Sequence, residues 1–410
     1  MTRIRRILGF LLYLPNIMPF TALFSAEIFP WAFIYALRKD TRLTLNYGIF
    51  LAYIILSSLI FLGSFSNFLI PARALFALIN ASMIFFLLIN ISKKEYSTLT
   101  NIFHIVFTVN IILCIVQFLG IFPPFLEPVF RIFIERFTHE IYGGGRGVAG
   151  LFAEPSYASM AIHYYFAFFM LSKKINPKSI IGIGAIVGIV FFDLFIIRSV
   201  TGVIMIILYL ASLQKFKDLL KTGVISIVLL SAVVYNVGQS PNAPRSIETA
   251  YDFFKYGGYQ DPVPWLLEQS GFRFVSVWAS YKYGFTHPFG SGVGGWGPAS
   301  IQAMDDIGVK ASAMSFFASA MGSEYQGVRP TSFAAGLMLE TGIVGLLLFI
   351  SSFYSFILRR ELYVDIHTRS IVIFFLFNIF ALGSIGDPLP FIFFALAYRS
   401  IIEPTSEVNE

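Results

Sequence analysis

Apolar positions in this chain neither alternate nor recur at the spacing of a half-buried helix; they run on. Nearly unbroken apolar stretches fall near 45–62, 68–92, 101–122, 151–172, 179–197, 199–213, 221–237, 333–357, 370–386 and 388–401. A helix needs roughly 20 apolar residues to cross hydrocarbon, so the pattern predicts membrane-spanning helices, several of them short, tilted or interrupted. Continuous rather than alternating runs exclude an outer-membrane barrel. The N-terminal stretch has a basic start and an apolar body like a signal peptide. No small-x-small cleavage site follows and many further spans do, so it reads as retained. It forms either one long helix or two short ones broken near Pro15 and Pro19.

Between the runs, cations collect on one side. With the N-terminal stretch as a hairpin, Arg3, Arg5 and Arg6 share a face with Arg38, Lys39 and Arg42, with Lys93 and Lys94, with Lys173, Lys174 and Lys178, and with Lys215, Lys217 and Lys221. Arg359, Arg360, Arg369 and Arg399 join them. Lys and Arg resist translocation, so this face is cytoplasmic and both termini lie inside. The expected fold is an all-α polytopic membrane protein with twelve, or otherwise eleven, transmembrane helices. Residues 1–237 form a bundle with a loop at 123–150 on the outer face. Residues 238–332 form one large periplasmic loop with short helices expected at 244–256 and 272–283. Residues 333–410 supply the last helices and a cytoplasmic tail.

Composition agrees with the pattern. Of 410 residues, 57% are hydrophobic and 13% charged, about half the charge of a soluble domain. Mean hydropathy is +0.75. These values exclude a soluble enzyme, a disordered chain and a single-span receptor. The net charge of +6 follows from the cytoplasmic cations and does not call for nucleic acid. The single cysteine, Cys114, excludes an internal disulfide and any cysteine-based metal site. GVGGWG at 292–297 lacks the Lys-Ser/Thr of a phosphate loop, which removes ATP-driven pumps.

Candidate chemistry lies where charge meets the membrane, because an ionisable group there is usually paired or functional. Arg198 sits between two apolar runs in FIIRSVTG; it either snorkels to the interface, pairs with Asp193, or works. Arg146 stands in a glycine-rich turn ahead of Glu154, Pro155, Ser156 and Tyr157. Glu154 before Pro155 reads as a helix start, so Glu154 either caps that helix or belongs to a site. Arg273, Lys282 and His287 precede the glycines of the large loop; His287 beside Pro288 is a base or an ordinary surface residue. Arg329 and Glu340 close the loop and open the next span. Arg136, Arg146, Arg198, Arg273 and Arg329 all fall on the outer face. Guanidinium groups bind phosphate oxygens bidentately and stay charged when partly desolvated, so such a cluster suits a lipid diphosphate and can neutralise its departure without a metal or other cofactor. Glu154 or His287 is then the base for an acceptor hydroxyl, with Tyr157, Lys282 and Glu340 as further contacts.

RGVAGLFAEPSYAS at 146–159, HPFGSGVGG at 287–295, RPTSFAAGLMLETGIVG at 329–345 and the R-S-x-T-G piece at 198–202 resemble a Wzy-type O-antigen polymerase of the O-antigen polymerase/ligase superfamily. The paired spacings Arg136 to Gly147 and Arg273 to Gly284, eleven residues each, are similar to motifs of polymerase loops. The resemblance implies an architecture related to lipid-phosphate-dependent membrane glycosyltransferases of the bacterial inner membrane. It implies en bloc transfer of an undecaprenyl-diphosphate-linked glycan onto a single lipid-linked repeat unit at the periplasmic face, with no metal. It also implies membrane lipid and a chain-length regulator as partners. Arg146 and Glu154 match the R-G…EPS motif, and Arg198 and Arg273 match basic positions. Related ligases place a histidine in an H-N-x-Y-L-like run before the last loop helix; here that slot carries Arg329. The alternatives are an O-antigen ligase acting on lipid A core, a non-enzymatic flippase for lipid-linked oligosaccharide, and a membrane scaffold.

Overall fold

The computed structural model describes residues 3–18, 27–37, 41–61, 68–141, 147–214, 235–236, 251–252, 255, 272–309, 327 and 329–402. Arg146, nearly all of the span expected at 221–237 and most of the large loop lie outside them. All regular structure among the described residues is helical. Two short helices come first, α1 (Arg3–Leu12) and α2 (Pro30–Ala36). The long ones follow: α3 (Leu45–Phe61), α4 (Leu69–Ile89) and α5 (Lys93–Phe118). A short α6 (Glu127–Phe133) lies in the 123–150 loop. Then come α7 (Pro155–Ser172), α8 (Ile180–Phe191) and α9 (Val200–Ser212). The large loop contributes α10 (Phe272–Thr286) and α11 (Trp296–Asp306). The chain ends with α12 (Phe333–Ile357), α13 (Ile366–Phe380) and α14 (Leu389–Ile402).

Four of these stretches are long and apolar enough to cross a membrane: α4, α5, Ile180–Ile197 and α12. The apolar helices Leu45–Leu59, α9, α13 and α14 are shorter. The molecule is a helical membrane protein. Helix starts are written in the sequence. Ser92 and Glu95 form a reciprocal capping box on α5, and Ser332 and Asp365 cap α12 and α13, each satisfying a backbone N–H that the helix cannot.

Two helices show the extremes of environment. α7 is buried nearly all round, from Ala158 through Met170, which is the mark of a helix inside a core. It packs on α9, α13, α14 and α5. α8 buries only Gly182 and Ile189 and turns Ile180, Ile181, Ile183 and Val187 outward. An exposed apolar face of this kind suits hydrocarbon rather than water. Aromatic side chains fill the core beside α4. Phe85 stacks on Phe394 at 4.8 Å and meets Phe356 edge-on at 4.9 Å, geometries that ring quadrupoles favour.

Two spans break their helical geometry. α8 ends in a π turn, Phe192–Ile197, which stops at Arg198 in a left-handed conformation. Asp193 in that turn is fully buried against Gly202, where a Cβ would overlap its carboxylate. α12 breaks at Gly342 (φ 64°, ψ −168°), a region that only glycine occupies readily. The HPFGSGVGG loop fills the break. The Val344 N–H donates to the Pro288 carbonyl at 3.2 Å, and the Ser291 N–H donates to the Leu339 carbonyl at 3.1 Å. A Cβ at Gly342 would overlap the Pro288 carbonyl oxygen. We expect Gly342→Ala to destabilise the protein by about 3 kcal/mol, from strain plus overlap. Gly48→Ala, at a helical site with nothing near its Cβ position, should be neutral or stabilising by about 0.5–1 kcal/mol. Unfolding midpoints in detergent micelles measure both.

Candidate functional site

Residues 147–154 run as non-helical backbone into the bundle, where hydrogen-bond partners must come from protein. Amide side chains of α5 supply them. The Gly150 N–H donates to Gln117 Oε1 at 2.9 Å and the Leu151 N–H to Asn110 Oδ1 at 3.1 Å. At the other end of this segment, the Val148 N–H donates to the Ile196 carbonyl at 3.2 Å. The residues directly after Arg146 are thereby tied to the π turn directly before Arg198.

The segment delivers Glu154 to the start of α7, with Pro155 in the first turn. Glu154 occupies the cap position but its side chain makes no cap hydrogen bond. It turns instead to two cations. Arg136 Nη1 pairs with Glu154 Oε1, and Arg273 Nη2 pairs with Glu154 Oε2 at 3.2 Å. Ser156 Oγ adds a weak bond at 3.4 Å. The carboxylate is 13% exposed, while Arg136 and Arg273 are 61% and 48% exposed. One shielded carboxylate thus orients two guanidinium groups that still face outward. Helix α7 points its positive end at the same place.

A second polar centre lies in the first turns of α12. Arg329 is sandwiched between Glu27, at 2.8 Å, and the fully buried Glu340, at 3.0 Å. Burial alone would lower the pKa of the Arg329 guanidinium; Glu340 and Glu27 more than offset it, so it is held charged more firmly than usual. Its charge lies 5.3 Å from the centre of the Trp296 ring, within cation–π range. The other oxygen of Glu340 accepts the Gly294 N–H at 3.0 Å. Arg329, Glu340 and the GSGVGG loop therefore form one unit.

Tyr157 feels the charges of both centres. Glu27, Arg273, Asp387 and Glu154 all lie within electrostatic reach of its hydroxyl. The structure brings Arg136, Glu154, Tyr157 and Arg273 together, with Arg329 and Glu340 behind Glu27. Arg198 sits on the neighbouring turn; its Nε–H donates to the Phe195 carbonyl at 2.9 Å and its guanidinium lies over the Phe118 ring at 5.6 Å. Lys282 stands further along α10 and His287 just past its end. His287 is 14 residues past Arg273, about 21 Å at helical rise. Its ring stacks on Tyr283 at 4.1 Å. Lys282 Nζ donates to the Asp306 carbonyl at 2.7 Å. No three His, Cys, Asp or Glu side chains group as a metal site would need among the described residues.

Backbone strain gathers at the same residues. Four described non-glycine residues have positive φ, and three of them are Glu27, Arg136 and Arg198. Each conformation costs about 1–2 kcal/mol, and such strain concentrates at functional sites. Glu27 and Asp387 were not singled out from the sequence. Both are lone acids between apolar runs, and Asp387–Pro388 before the last span repeats the Glu154–Pro155 pattern.

The two centres differ in what their loss should do. Glu340→Gln leaves a buried guanidinium short of a partner and should destabilise the protein by about 3 kcal/mol. Glu154→Gln, at half-exposed pairs, should change stability by less than about 1 kcal/mol. Thermal unfolding of the two variants in micelles makes the comparison. No protein-family model, no curated protein and no solved structure matches this chain.

Proposed function

We propose that the protein is a membrane glycosyltransferase that polymerises undecaprenyl-diphosphate-linked oligosaccharide repeat units, acting at the periplasmic face of a bacterial inner membrane. The observation that supports this reading best is Glu154 set between Arg136 and Arg273 at the start of α7. Two half-exposed guanidinium groups held side by side match the oxygens of a diphosphate. The carboxylate between them keeps both in place when no anion is bound and keeps the pair from collapsing apart by repulsion.

In this reading the lipid diphosphate of the growing chain lies against Arg136 and Arg273. Arg198 reaches it from the neighbouring turn, and Arg146, which directly precedes the segment that leads to Glu154, is a further cation for it. Negative charge grows on the diphosphate as its bond to the anomeric carbon breaks, and fixed cations stabilise it without reorganising. The acceptor is the terminal sugar hydroxyl of a single lipid-linked unit. Tyr157 and Trp296 offer flat faces of the kind that pack on sugar rings.

Purified protein in lipid nanodiscs, given lipid-diphosphate repeat units and no nucleotide sugar, should produce a ladder of chain lengths on a gel. Arg273→Ala and Arg136→Ala should each slow ladder formation at least about 100-fold, the size expected for a donor that stabilises transition-state charge. Normal ladders from both variants would reject the site. Transport of the units across vesicles with no ladder would favour the flippase instead, and transfer only to added lipid A core the ligase.

A further inference from the structure

Transfer to a hydroxyl needs a proton acceptor beside the diphosphate cations, and the carboxylates at the centre differ in whether they are free to serve. Both oxygens of Glu154 are held by arginines. Glu27 is held by Arg329, and Glu340 by Arg329 and the Gly294 N–H. A carboxylate gripped by guanidinium is a weak base, because the neighbouring charge favours its ionised form. His287 lies just past the end of α10, about 21 Å from Arg273 by helical rise.

Asp387 differs from all of these. It sits in the 381–388 connection between α13 and α14 and is 6% exposed. Its Oδ1 accepts the Leu389 N–H at 3.0 Å. Its Oδ2 is buried without a hydrogen-bond partner among the described residues. The connection is pressed into the centre from two sides. The Gly383 N–H donates to the Thr331 carbonyl at 2.9 Å, two residues from Arg329. Gly386 lies so close to Glu27 that a Cβ would overlap its carbonyl oxygen. Tyr157, Tyr164 and Tyr165 of α7 feel the Asp387 charge. Glu27 faces it from the N-terminal segment, with Arg329 and Glu340 beyond.

We propose that Asp387 is the catalytic base of the transfer, and that Tyr157 and Glu27 form the rest of the pocket that receives the acceptor sugar. This assignment rests on the polymerase reading above. The acceptor hydroxyl gives its proton to Asp387 Oδ2, and its oxygen forms the new bond to the anomeric carbon of the donor. The bond from that carbon to the diphosphate breaks, and the electron pair leaves with the diphosphate, whose charge Arg136 and Arg273 hold. The proton on Asp387 then passes to water as the product departs. The environment suits this role. Burial pushes the Asp387 carboxyl up, the Leu389 N–H opposes this, and Glu27 adds to the rise, placing it at about 7. A base is most effective when its pKa lies near the working pH. The ionised form is the active one, so turnover should rise with pH up to about 7 and fall below it.

The test uses full-length protein in nanodiscs with undecaprenyl-diphosphate repeat units as donor and acceptor. Asp387→Asn should slow ladder formation at least about 100-fold while still retaining the lipid-linked donor in a nanodisc pull-down, since both arginines are untouched. Wild-type turnover should drop about tenfold per pH unit below the limb near pH 7. Asp387→Asn turning over at the wild-type rate overturns the assignment and leaves the polymerase reading standing. A wild-type rate that is flat from pH 5 to 8 overturns it as well, whether or not the variant folds. No ladder from wild type overturns both readings.

Discussion

Backbone that leaves helical geometry inside an apolar bundle must find its hydrogen bonds in the protein itself, and the arrangement of this molecule follows from how it does so. Asn110 and Gln117 on α5 hold the 147–154 segment. The HPFGSGVGG loop takes up the backbone groups freed at Gly342. Thr331 receives the 381–388 connection. Each repair lies beside a candidate side chain: Glu154 in the first segment, Glu340 with Arg329 at the break in α12, and Asp387 in the last connection. The irregular parts of the bundle and its candidate chemistry are the same parts.

Charge then sorts these segments by task. Arg329 between Glu27 and Glu340 is enclosed, and its desolvation is offset by two anions and an aromatic face. Such an arrangement fixes positions and offers little to a ligand. Arg136 and Arg273 share one carboxylate and keep about half of their surface open. They are the cations available to something else. The difference lies in burial, not in residue type or in the number of anions, since Arg136 also has Glu135 at 3.9 Å.

The sequence made the helical membrane class legible because long apolar runs leave few alternatives. It also pointed to Glu154, beside Pro155, and to Arg136 and Arg273, each eleven residues ahead of a glycine. It left open whether Glu154 caps α7, since a cap and an ion pair demand the same residue at the same position; the missing cap bond and the two arginines settle its contacts here. Glu27 and Asp387 were missed because their meaning depends on contacts across 360 residues of chain, which no local pattern encodes. Lys282 and His287 were grouped with Arg273 because they are near in sequence. A helix separates them by its length.

The π turn carries an implication for descent. Asp193 is packed so closely on Gly202 that any larger residue at 202 would displace it. A side chain at 202 therefore requires loss of the acid at 193. In homologous chains an acid at the first should therefore be found only with a glycine at the second, and that one-way dependence would trace this bend through sequences too diverged to align by eye.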